Sequence, residues 1–113
     1  MAIHYAREQA IKIVHELGAS ALPLRERLYG AYARAFIHAL LSDSDQDYLP
    51  EELNQSMRLL ATRMTARDGA LEPTLSRMTD RELVECADEM IGIALRILRV
   101  DTRGPEADVP NPE

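Results

Sequence analysis

A chain of 113 residues with 46% hydrophobic residues is long enough to bury one core and too apolar to remain disordered. Its formal net charge of −6 favours solubility and disfavours non-specific binding to nucleic-acid phosphates. Cys86 is the only cysteine, which excludes an internal disulfide; a reducing compartment, the cytoplasm, is the matching expectation.

Aromatic residues are scarce, with four Tyr, one Phe and no Trp, so core volume must come from Ala, Leu and Met, all good helix formers. Basic charge is almost entirely arginine, because Lys12 is the only lysine; codon bias in a GC-rich genome is the expected reason. The N-terminus has no uninterrupted apolar run, so no secretory leader is expected, and no stretch is long and apolar enough to span a bilayer.

Ile3, Ala6, Ala10, Ile13, Val14 and Leu17 recur at helical spacing and predict a first helix over about residues 3–17, with Gly18 as its stop. His4, Glu8 and His15 share its polar side and read as a solvated face rather than a metal site.

A second helix is expected over about residues 23–41, opened by Pro23. Within it residues 28–41, LYGAYARAFIHALL, leave only Gly30, Arg34 and His38 outside the apolar set. A helix apolar on nearly every side must be wrapped by other helices or by a second copy of the chain. Ala31, Ala35 and Ala39 add a small-residue ridge that allows close approach. Arg27, Gly30, Arg34 and His38 line one polar seam. Two guanidiniums and an imidazole there would suit an anion, with Gly30 leaving room for it. The favoured alternative makes Arg34 and His38 the partners of acids on a neighbouring helix or a partner subunit.

Asp43, Asp45 and Asp47 imitate the start of a calcium loop. The required glycine is replaced by Tyr48 and the closing bidentate glutamate by Asn54, so a polar loop is expected instead. A third helix follows over about residues 50–65, opened by Pro50, with Glu51 and Glu52 suited to its positive end. Leu53, Met57, Leu60, Ala61 and Met64 form its stripe.

Residues 66–78 are expected to be irregular or to hold one short helical turn, with Gly69 and Pro73 as punctuation. Gly69, Thr74, Leu75, Ser76, Arg77 and Met78 resemble the turn and second-helix start of helix-turn-helix repressors. The resemblance implies Thr74 and Ser76 facing phosphates or bases and Arg77 reaching phosphate. Asp68 and Glu72 depart from that pattern, and no basic patch surrounds it.

Thr79 and Glu82 form a capping box that opens a fourth helix over about residues 79–100. Leu83, Cys86, Met90, Ile93, Ile97 and Val100 form one apolar seam, and Val84, Ala87, Ile91, Ala94 and Leu98 lie beside it. Glu82, Glu85, Asp88 and Glu89 fall on the opposite side, as a solvated face. Cys86 reads as a packed thiol. Residues 101–113 carry four acids and three prolines and are expected to be a flexible tail.

The predicted architecture is all-α: one domain over residues 1–100, a compact bundle of four main helices, and the tail. No catalytic signature is legible, and no metal or cofactor motif. The leading functional expectation is a homodimeric protein-interaction or regulatory module, bound to its own copy or to another protein. Its interface is expected at Leu28, Ala31, Tyr32, Ala35, Phe36, Ala39, Cys86, Met90, Ile93 and Ile97. A DNA-binding regulator using Thr74, Ser76 and Arg77 is the alternative. An anion- or ligand-binding bundle using Arg27, Arg34 and His38 is the weaker one.

Overall fold

The computed structural model describes residues 2–19, 21–41 and 49–100, with side chains described for 5–19, 21–40 and 49–100. The expectations for Ser42, Asp43, Asp45, Asp47 and Tyr48, for the side chains of Ile3 and His4, and for residues 101–113 lie outside these. Among the described residues every regular element is helical: α1 (Ala2–Ala19), α2 (Leu24–Ala31), a π-helical turn (Tyr32–Phe36), α3 (Ile37–Leu41), α4 (Glu51–Met64), α5 (Leu71–Arg77) and α6 (Asp80–Leu98).

The first helix runs past its expected stop. Gly18 stays helical and Ala19 ends the helix, and the Leu17 carbonyl in its last turn accepts from Arg27 (below). Pro23 and Pro50 sit one residue before the first helical turn of α2 and α4, with φ −57° and −58° and extended ψ. Their fixed φ suits that entry, and the carbonyl of Pro50 accepts the amides of Leu53 and Asn54 at 3.0 Å.

The long second helix is present but is not uniform. α2, the π turn and α3 follow one another without a break. The wider π turn shifts the register of everything after Ala31. Tyr32 and Phe36 flank that turn, with ring centroids 5.4 Å apart. Nothing in a string of helix-forming residues signals such a turn.

Residues 66–78 differ more from expectation. Asp68 and Gly69 take left-handed conformations, φ 56° and 65°, and turn the chain after α4. Aspartate tolerates that region better than most residues, and glycine enters it freely. The seven-residue α5 follows, with Pro73 in its first turn, where a missing amide breaks no helical bond. The fourth main helix begins as read: Thr79 N donates to Glu82 Oε1 at 2.8 Å, and Glu82 N donates to Thr79 Oγ1 at 3.2 Å.

α1 packs most extensively on α6 and also on α2, the π turn and α3, while α4 covers another side of α6. The stripes Ala6/Ala10/Ile13/Leu17, Leu53/Met57/Leu60/Met64 and Leu83/Cys86/Met90/Ile93/Ile97 all enter one core. Of the second seam of α6, Ala87 and Ala94 are buried and Val84 is 49% exposed. The ten side chains expected at a subunit interface are core residues of the single chain, none more than 6% exposed. Those of the second helix are therefore covered by other helices of the same chain, whereas Tyr29 is 48% exposed. Any interface lies on the outer surface.

Candidate functional site

The arginines organise the surface. Seven of those described already hold a partner within the chain. Three cap helix ends with their planar forks, the geometry for which guanidinium is suited. Arg7 on α1 donates to the carbonyls of Leu98 and Val100, each at 2.8 Å, at the end of α6. Arg25 donates to those of Leu75 and Met78, each at 2.9 Å, at the end of α5. Arg27 donates to Leu17 O at 2.6 Å and Leu22 O at 2.8 Å, closing the end of α1. Four more pair with carboxylates: Arg34 with Glu16 at 3.2 Å, Arg58 with Glu51 at 3.0 Å, Arg63 with Glu85 at 2.7 Å and Glu89 at 3.4 Å, and Arg81 with Glu85 at 3.9 Å.

The polar seam of the second helix is thereby taken apart. Arg27 caps α1, Arg34 pairs with Glu16, and His38 is exposed. The space at Gly30 belongs to the same ion pair, since a Cβ there would lie 2.5 Å from Glu16 Oε2. The glycine makes room for a glutamate of α1, not for a ligand.

The helix-turn-helix candidates also separate. Thr74 is buried, and its hydroxyl accepts from Arg67 N and donates to Ala70 O, both at 2.8 Å, so it pins the turn from inside. This corrects its expected outward role. Ser76 bonds to Pro73 O at 3.0 Å and is exposed, as is Arg77. Arg67 and Arg77 border a polar hollow of about 220 Å³ between the end of α4 and α5, which Arg63 and Glu82 also line.

Cys86 is wholly buried, with Sγ 4.0 Å from Met78 Sδ. Burial pushes its thiol up from the ordinary range, against a smaller opposing pull from Arg63. A thiol held protonated is a poor nucleophile. Burial raises Tyr32 as well. Among the described residues no group of three or more His, Cys, Asp or Glu could hold a metal ion, and no helix is long and apolar enough to cross a membrane.

Arg67, Arg77, Arg96 and Arg99 are left with no side-chain partner among the described residues. Arg96 and Arg99 border a groove of about 450 Å³ between α4 and α6. Leu59, 68% exposed, and Leu95, 41% exposed, stand at its sides, and Gly92 lies on its floor with open space where a side chain would begin. The groove thus brings apolar side chains together with two uncommitted guanidiniums and with Glu89, which is held by Arg63.

Sequence reading passed over this face for identifiable reasons. Leu59 adjoins the stripe residue Leu60 and reads as part of it. Gly92 and Arg96 fall between two apolar seams and gain meaning only once the buried side of α6 is known. No protein-family model, curated protein or solved structure matches the chain.

Proposed function

We propose that this protein is a homodimeric interaction or regulatory module without catalytic activity, acting in the cytoplasm. The observation that supports this best is the α4–α6 groove, where Leu59, the most exposed leucine among the described residues, lies beside Leu95 and two uncommitted guanidiniums. Isolated exposed leucines are ordinary on a monomer. Here apolar and charged groups converge on one concavity in a domain whose other described arginines are mostly engaged within the chain.

Light scattering on the intact chain at micromolar concentration tests the reading. It should return about twice the 12.7 kDa chain mass. A mass equal to one chain across the concentration series would end it.

A further inference from the structure

Gly92 lies midway along the outer face of α6, and nothing among the described residues requires a glycine there. Its φ is not positive, and no atom lies within 4 Å of where its Cβ would be. A glycine inside a helix is destabilising relative to alanine, and no contact among the described residues offsets that here. A backbone that must be approached closely from outside would supply the reason.

The charges around Gly92 are polarised. At 100° per residue, Glu85, Asp88, Glu89, Leu95, Arg96 and Arg99 all lie within about 60° of Gly92 on the helix surface. All three acids precede the glycine, and both arginines follow it. Glu85 and Glu89 hold Arg63, and Glu85 also pairs with Arg81, an arginine of this face one turn earlier, whereas Asp88, Arg96 and Arg99 have no side-chain partner among the described residues.

Between Glu85 and Arg99 this face is acidic before its midpoint and basic after it, and that stretch is complementary to itself when turned end for end. From these relationships we propose that two copies of the chain pair through the outer faces of α6, antiparallel, crossing at Gly92 on a two-fold axis. Position 92 + n then faces position 92 − n. Arg96 meets the partner's Asp88, and Arg99 reaches towards the partner's Glu85. Each pair occurs twice by symmetry. Leu59 and Leu95 supply apolar cover at the sides. The missing Cβ lets the two backbones approach at the crossing, as small residues do at other close helix contacts. The proposal rests on the homodimer reading and names the face and orientation it uses.

Charge reversal separates the two claims. Arg96→Glu alone sets two carboxylates against each other at each pair, and Asp88→Arg alone sets two guanidiniums together. Each should raise the dimer dissociation constant by about tenfold or more, since juxtaposed like charges are strongly unfavourable. The double variant Asp88→Arg/Arg96→Glu restores opposite charges and should recover dimerisation. Both positions are exposed, and circular dichroism confirms that each variant is folded. A wild-type chain that is monomeric overturns the homodimer reading and this placement together, and gives the face to another occupant. A wild-type dimer that neither single variant weakens, or that the double variant fails to rescue, overturns the α6 placement alone.

Discussion

Arg7 and Val100 stand 93 positions apart in the chain, yet the Arg7 guanidinium donates to the Val100 carbonyl at 2.8 Å while its second nitrogen holds Leu98 O. One side chain of the first helix thus closes the end of the last. Arg7→Ala should cost about 2 kcal/mol, the scale of hydrogen bonds made by a charged donor. The melting temperature should fall on the order of 10 °C. Arg7→Lys should recover less than half, because an ammonium lacks the fork that reaches both carbonyls. Full recovery by lysine would show that charge alone matters there.

Gly30 and Glu16 make a second prediction. A methyl at position 30 collides with the end of the Glu16 side chain, which can swing aside at the expense of its exposed pairing with Arg34. Such a pair contributes at most about 1 kcal/mol, and alanine returns about as much in helix propensity. Gly30→Ala should therefore leave stability within about 1 kcal/mol of wild type. In a Glu16→Ala background the same change should stabilise by about 1 kcal/mol. Denaturant titration of the four proteins checks this, and a large loss in both backgrounds would mean the site has no room for a methyl at all.

Thr74 decides how the segment after α4 is read. Its hydroxyl ties Arg67 N to Ala70 O across the left-handed turn at Asp68 and Gly69. Thr74→Val should cost about 1–2 kcal/mol, the penalty for stranding buried backbone groups, and Thr74→Ser should keep most of that stability. A valine variant as stable as wild type would remove the hydroxyl from the turn's support.

Alkaline pH should weaken the fold. Burial raises both the Cys86 thiol and the Tyr32 phenol. In each case the folded state favours the neutral form more than the unfolded chain does. The associated stability is complete below the ordinary thiol value of 9.0 and is lost as pH rises through it, with Tyr32 following from its ordinary value of 10.0. Urea midpoints between about pH 7 and about pH 10.5 should decline on the alkaline side. Cys86→Val should flatten the first part of that decline, and a flat profile in the wild type would contradict the assignment.

What could be read from the sequence was whatever local periodicity and local pairs encode. Met57, Leu60 and Met64 repeat at helical spacing and are buried, and Thr79 and Glu82 close their capping box within four residues. What could not be read depends on distant partners. The reach of Arg7 to α6, the place Glu16 takes over Gly30 and the π turn at Tyr32–Phe36 arise only when helices meet. The ten residues expected at an interface lie in the core of the single chain for the same reason: apolar helix surface says that something must cover it, not whether the cover is α1 or a second chain.

The central claim is that the outer face of α6 around Gly92 meets its own copy. Sedimentation equilibrium on Gly92→Gln beside wild type tests it most directly, because the substitution improves helix propensity by roughly 0.5 kcal/mol while placing a side chain at the crossing. The wild type should have a mass of about twice 12.7 kDa, and the variant should be folded, no less thermally stable as a single chain, and sediment as a monomer. A variant that remains as dimeric as the wild type would contradict it.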